Sequence, residues 1–269
     1  MVDPATEGIK LYKLLYNDYD DNFGGSVVGI SGMQGSVKTS AMLDLADKKT
    51  KYHPDEKIFW RETYKSPMQC QRLKTPYIIY AQDGVKLNFF ESQTWKKVNL
   101  DINYFNTISE LYNKVRTGIV NVVFFEHEQR WTNLIEECNR HYEWATVFLD
   151  EMEDLYREGV NNQTEDRWWD FMQTSGDVIK ECRKSHTSVI GNYHDENLID
   201  HRVRNKKFMF FLYGYGATVS PKKTRIKQGL VDGCKRGEFA IGFGRSRFGK
   251  IQIETIYDPI KNCIIVEKK

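Results

Sequence analysis

A mostly parallel α/β sheet flanked by helices is the fold class this sequence predicts, and three observations predict it. Short β-branched and aromatic runs alternate with amphipathic stretches along most of the 269 residues, the pattern of βα units. A glycine-rich turn, Gly32 to Thr39, stands between one such run and a helical stretch, the context that gives a phosphate loop its meaning. A further run, Thr146 to Leu149, ends in the acidic pair Asp150-Glu151, at the strand end where sheets of this class bind ligands.

Taken in order, the first 22 residues carry Leu11, Tyr12, Leu14, Leu15 and Tyr16 before an acidic NDYDD and read as a short helix and a turn. Strands are expected at Ser26 to Ile30, Ile58 to Arg61, Tyr77 to Tyr80, Val120 to Phe125, Thr146 to Leu149, Thr187 to Gly191 and Phe208 to Tyr213. Helices are expected at Thr39 to Lys48, Ile108 to Arg116, Thr132 to His141 and Trp168 to Lys184. From Glu238 onward, FAIGFG, KIQIETIY and NCIIVEK alternate and are broken by Gly and Asp258-Pro259, which suits a terminal meander better than another βα unit. No repeat, low-complexity tract or Pro/Gly-rich linker interrupts the chain. It is therefore read as one domain, 1-269, with an N-terminal extension at 1-22 and β segments at 238-269.

Composition narrows the class. Apolar residues at 40% and aromatics at 13% argue against disorder. The sequence has no uncharged apolar run long enough to span a membrane, and MVDPATEGIK lacks the halves of a signal peptide. A cytoplasmic location is expected, the host cytoplasm if the protein is viral. Five scattered cysteines without CxxC pairs read as reduced core thiols. The net charge of +2 hides an asymmetry: Arg202 to Lys250 carries 13 Lys and Arg against 2 acidic residues, leaving 26 against 35 elsewhere. A basic segment of this kind suits a polyanion, although a solvated face remains the plainer reading.

Placed on G-x-x-x-x-G-K-[ST], Gly32 is the first glycine, Lys38 the lysine and Thr39 the hydroxyl. Backbone N–H groups between Gly35 and Thr39, with Ser36, Val37 and Ser40 in the same turn, would cradle the phosphates of ATP at the positive end of a helix. Lys38 would neutralise the β- and γ-oxygens, and Thr39 would hold Mg²⁺. Val37 stands where the second glycine belongs, and a β-branched residue resists positive φ. Asp150 and Thr39 are the candidate metal ligands, and Glu151 is the candidate base for the attacking water. Asn192, ending the run at Thr187 to Gly191, is either a γ-phosphate sensor or an ordinary turn residue. Arg202 and Arg204 could reach a phosphate in their own or a neighbouring subunit, or could be solvated.

The order GMQGSVKTS, VFLDE, a long helix ending RKSH, SVIGN and LIDHRVRNKKFMFFL resembles the FtsK and HerA superfamily of DNA-translocating ATPases, viral and mobile-element relatives included. It is also similar to the zonular occludens toxin-type ATPases of filamentous phages. The resemblance runs from about Val27 to Tyr213. It implies a RecA-like P-loop fold with an additional strand between the Walker A and Walker B strands, Mg²⁺-ATP, a homo-oligomeric, hexameric ring, and movement of double-stranded DNA. Asn192 stands where many members carry Gln, and phage-export members usually add a membrane span.

The run Pro221 to Gly229, with Lys222, Lys223, Arg225 and Lys227, and beyond it Lys235, Arg236, Arg245 and Arg247, is read as a sequence-independent contact to the DNA backbone. The histidines include no HExxH, and Glu126, His127 and Glu128 follow a strand end, where they could line the catalytic edge or sit in a solvated loop. Trp131, Trp144, Trp168 and Trp169 read as core or interface. The expected function is ATP-driven DNA translocation in genome packaging or mobile-element transfer. Its rivals are a degenerate P-loop assembly protein and a kinase.

Overall fold

The computed structural model describes residues 3–16, 24–64, 67–157, 165–204, 209–219, 226–244, 247–257 and 263–268, with the backbone alone described at 165–169, 196 and 204. The chain opens with α1 (Pro4–Lys13), β1 (Val27–Ser31), α2 (Lys38–Tyr52), β2 (Lys57–Arg61) and β3 (Tyr77–Gln82). It continues through β4 (Leu87–Glu91), β5 (Lys97–Val98), β6 (Ile102–Phe105), α3 (Ile108–Lys114), β7 (Val120–Phe124), α4 (Arg130–His141) and β8 (Ala145–Leu149). Then come α5 (Met152–Leu155), α6 (Glu165–Glu181), β9 (Thr187–Tyr193), α7 (His201–Arg204) and β10 (Phe210–Gly214). The described part ends with α8 (Gln228–Asp232), β11 (Glu238–Phe243), β12 (Arg247–Gln252) and β13 (Ile264–Lys268).

Among the described residues, ten strands form the main sheet in the order β12-β11-β10-β1-β9-β8-β2-β7-β3-β6. From β10 to β6 every neighbouring pair is parallel; β11 adds antiparallel to β10, and β12 adds antiparallel to β11. β1, β7, β8, β9 and β10 are buried at every position. This accounts for their continuous apolar runs, because both faces of a parallel sheet are covered. One face, with Val28, Ile30, Trp60 and Phe148, packs on α2 and α1 residues such as Met42, Leu45 and Leu11. The other, with Phe59, Val147 and Val189, packs on Leu111, Leu134, Ile135 and Ile179.

The expected added strand is present: β9 lies between β1 and β8, with Ile30 opposite Asn192 and Leu149 opposite Gly191. Its position brings the ends of the phosphate-loop strand and the acidic strand within reach of one amide. All seven expected strands and all four expected helices form at or near their expected bounds.

Two features differ from the sequence expectation. The segment between β3 and α3 contains three short strands that the sequence did not reveal, because runs of two to five residues with mixed polarity give little periodicity. The C-terminal segments do not form one meander: β11 and β12 extend the main sheet, whereas β13 pairs with β4 in a separate three-stranded sheet, β13-β4-β5. The break at Asp258-Pro259 lies outside the described residues.

The N-terminal helix has a definite place. Asp3 caps α1 by accepting from the Thr6 N–H at 3.0 Å, and Pro4 sits at its first turn. α1 then packs on β12 so closely that a Cβ on Gly8 would meet the Lys250 backbone, and one on Gly249 would meet the Gly8 backbone. Tyr12 donates to Asp44 of α2 at 2.7 Å. All five cysteines are free and buried, as expected for core thiols. Among the described residues, no helix is long and apolar enough to cross a membrane.

Candidate nucleotide site

β1 delivers the chain to Gly32, and the turn that follows feeds directly into α2. A Cβ on Gly32 would run into the Ser36 side chain, so glycine is required for the loop to close. Gly35 takes φ 84° and Val37 takes φ 63°, ψ 32°, the left-handed region. The valine thus adopts the conformation that a glycine would supply, at the strain a β-branched side chain brings to it. The hydroxyl of Ser36 is buried without a hydrogen-bond partner among the described residues.

Lys38 is buried, and its ammonium donates to the carbonyls of Gly32 at 2.7 Å and Met33 at 3.3 Å. Burial lowers its pKa, opposed by the nearby carboxylates of Glu153, Asp150 and Glu151. The hydroxyl of Thr39 lies 3.5 Å from Asp150 Oδ1. Asp150, at the end of β8, is buried, and desolvation raises its pKa against the hydrogen bond from Asn192 and the charge of Arg61. Glu151 sits at φ 51°, ψ 56°. Its carboxyl is pushed up first by burial and then by Asp150, Asp154 and Glu153.

Asn192 connects these groups. Its Nδ2 donates to Asp150 Oδ1 at 2.6 Å and approaches Thr39 Oγ1 at 3.4 Å, while its Oδ1 accepts from the Glu151 N–H at 2.7 Å. An asparagine in an ordinary exposed turn would not be buried or hold three such partners; here it occupies the end of a central strand.

Lys38, Thr39, Ser40, Gly35, Val37, Asp150, Glu151 and Asn192 line a single crevice of about 320 Å³ at the C-terminal rim of the sheet. Three further side chains line it that sequence reading did not place there: Arg72, His194 and Tyr257. Arg236 lines it too, although the basic run had suggested a DNA-facing role for it. Arg72 Nη2 lies 3.4 Å from Ser40 Oγ. His194 Nδ1 is 2.6 Å from Glu153 Oε1.

The other predicted residues fall elsewhere. Arg202 is not among the crevice residues; its guanidinium makes two bonds to Asp200, at 2.8 and 2.7 Å. Burial acts to raise the Asp200 carboxyl, but these bonds hold it below its ordinary value. The Arg204 side chain, Lys222, Lys223, Arg225, Arg245 and the side chains of Trp168 and Trp169 lie outside the described residues. Lys227 is exposed just before α8. Arg247 pairs with Glu7 at 2.6 Å and Lys250 with Glu238 at 2.7 Å, so part of the basic segment is already neutralised within the chain. Trp131 is core, and Trp144 stacks on His186 at 4.5 Å. Glu128 pairs with Arg61 at 2.9 Å.

A hydroxyl and a carboxylate at this separation, beside a helix N-terminus with a buried lysine, fit Mg²⁺ bound to a nucleotide, which takes few protein ligands and relies on phosphates and water. The unpartnered Ser36 hydroxyl in the loop fits a polar occupant.

Comparison with protein-family models and with curated proteins finds no match. Solved structures do match. The genome packaging NTPase B204 from Sulfolobus turreted icosahedral virus 2, in complex with ATP-gammaS, is 12% identical, with TM-score 0.53, over 87% of this chain and 98% of that one. B204 from Sulfolobus Turreted Icosahedral Virus, described as a DNA-packaging ATPase, is 12% identical, with TM-score 0.52, over 88% and 98%. VirB4 of Thermoanaerobacter pseudethanolicus is 12% identical, with TM-score 0.50, over 90% and 92%. The chain therefore shares the α/β fold of these structures, a mostly parallel sheet flanked by helices.

Proposed function

We propose that this chain is an ATP-hydrolysing motor that moves DNA, acting as a ring of identical subunits in genome packaging or mobile-element transfer. The observation that carries the reading is the convergence of Lys38 and Thr39 from one end of the chain with Asp150 and Glu151 from its middle around one crevice. Its fold, shared with packaging NTPases, supports the DNA-directed part.

In this reading the N–H groups of the Gly35 to Thr39 turn and the N-terminus of α2 hold the phosphates. Lys38 neutralises the β- and γ-oxygens, and Arg72 and Arg236, reaching the crevice from outside the loop, add positive charge around the same tail. Thr39 and Asp150 would hold Mg²⁺, which would offset the negative charge of the phosphates. Glu151 orients the attacking water and takes its proton; its raised pKa makes it a better base than an exposed glutamate. Asn192 keeps Asp150 and Glu151 in register with Thr39. Exposed Lys227 and the neighbouring basic run contact the DNA backbone without reading sequence.

The test is ATP hydrolysis with and without double-stranded DNA across a salt series, in wild type, Lys38→Ala and Glu151→Gln. Lys38→Ala should lose nucleotide binding, Glu151→Gln should bind but not turn over, and DNA stimulation should fade with salt. Wild-type hydrolysis in both variants would remove the enzymatic reading. Hydrolysis indifferent to DNA at every salt concentration would remove the motor.

A further inference from the structure

The strand between the acidic strand and β7 carries no recognisable motif, yet its last residue reaches the backbone of the acidic turn. Arg61 ends β2 opposite Leu149 of β8, and its side chain is buried. Its Nη1 donates to the carbonyl of Asp150 and lies 3.4 Å from that of Glu151, while its Nε donates to Glu128 at 2.9 Å.

The peptide joining Asp150 to Glu151 is thus gripped at both ends. Its carbonyl accepts from Arg61, and its N–H donates to Asn192. The orientation of that peptide plane sets ψ of Asp150 and φ of Glu151 together. Glu151 stands in the left-handed region, where a non-glycine residue stays only if its surroundings hold it. Rotating the peptide would relieve that conformation and swing the Glu151 carboxylate elsewhere. With four carboxylates close together, Asp150, Glu151, Glu153 and Asp154, mutual repulsion favours such a swing.

We infer that Arg61 is a positioning residue for Glu151: through the Asp150–Glu151 peptide it holds the proposed base in its left-handed conformation, aimed at the crevice. Glu128 orients the guanidinium from the opposite side, so the ion pair links the loop before α4 to the acidic turn. The inference rests on the proposed role of Glu151. Arg61 itself is not among the residues lining the crevice, so its effect must pass through Glu151.

The experiment compares wild type, Arg61→Gln and Arg61→Lys by three measurements: steady-state hydrolysis, affinity for a fluorescent ATP analogue, and amide hydrogen exchange of the full chain without added nucleotide. Arg61→Gln should lower kcat at least tenfold while analogue affinity stays within threefold. Arg61→Lys, which keeps the charge and one donor, should recover part of the loss. Exchange over residues 148–156 should quicken in both variants, with the 32–45 segment unchanged. Unchanged exchange over 148–156, or kcat within twofold of wild type in Arg61→Gln, would overturn the inference. So would an equal loss of kcat, affinity and thermal stability. If Arg61→Gln does not fold, Arg61→Lys decides by the same criteria. The exchange measurement requires no turnover, so it separates failure of this inference from failure of the ATPase reading.

Discussion

Replacing Val37 with glycine restores the residue that a phosphate loop ordinarily carries, and the structure gives a definite expectation for the result. Val37 already occupies φ 63°, ψ 32°. Holding an L-residue there costs about 1–2 kcal/mol, and Val37→Gly recovers that amount. Against it stand about 0.5–1 kcal/mol of additional unfolded-chain entropy for glycine, and about 1 kcal/mol for a partly buried isopropyl group that packs against the core around α2. These contributions nearly cancel, so stability should move by less than about 1 kcal/mol, and the melting temperature by no more than about 3 °C for a chain of this size. Nucleotide affinity follows separate reasoning. Glycine and valine would hold the loop at the same dihedral angles, so its N–H groups would point the same way with either residue. Affinity for ATP, measured by titration calorimetry, should therefore rise less than about threefold, under about 1 kcal/mol. A gain of tenfold or more would refute this reasoning. It would mean that the isopropyl group, which lines the crevice, occupies room that the phosphates need.

Three further expectations follow from other parts of the fold. Glu62 is buried, and desolvation, opposed by the N–H groups of Cys70 and Gln69 that it accepts, raises its pKa from 4.5 to about 7. The folded state therefore binds this proton more tightly than the unfolded chain, so the group's contribution to stability is complete below pH 4.5 and is lost as pH rises through 7, by on the order of 3 kcal/mol. Urea titrations at pH 5 and pH 8 should show wild type losing that much relative to Glu62→Gln, and a pH-independent difference would refute the assignment. Lys49 and Glu56 form a fully buried ion pair at 3.3 Å, with Thr146 also donating to Glu56 at 2.5 Å. Lys49→Met alone should cost about 3–5 kcal/mol by chemical denaturation, whereas Lys49→Met with Glu56→Leu should recover most of it. If the double variant is no more stable than the single one, the loss lies in packing and not in the stranded charge. If Glu151 is the base, turnover should rise with pH along a limb that sits above the ordinary glutamate value, because burial and its acidic neighbours hold its carboxyl up. A limb at or below 4.5 would exclude Glu151 as the proton acceptor.

The local half of this site was legible from residues alone. A β-branched run, a glycine-rich turn and Lys38-Thr39 mark a candidate phosphate loop by short-range chemistry, and an apolar strand ending in Asp150-Glu151 marks an acidic strand end. The central strands were equally plain, because burial on both faces leaves unbroken apolar runs. The inserted strands β4, β5 and β6 were not, since they are short and their partners, β13 for β4 and β3 for β6, are fixed only by the folded sheet.

Tertiary structure alone decided which distant residues share the crevice. Arg72, His194 and Arg236 carry no motif, and a side chain's reach across a sheet rim depends on strand order, which sequence periodicity does not encode. The same rule governs the arginines that were singled out. Arg202 looked free in the sequence, but folding sets it against Asp200, two residues away. Asn192 shows both sides of the division. Its residue type at a strand end suggested a polar role, but only the insertion of β9 between β1 and β8 brought its amide within hydrogen-bonding distance of Asp150 and the Glu151 N–H, with Thr39 close by. Local sequence determines which elements form and what chemistry each end presents; the order in which the strands assemble determines which of those ends meet.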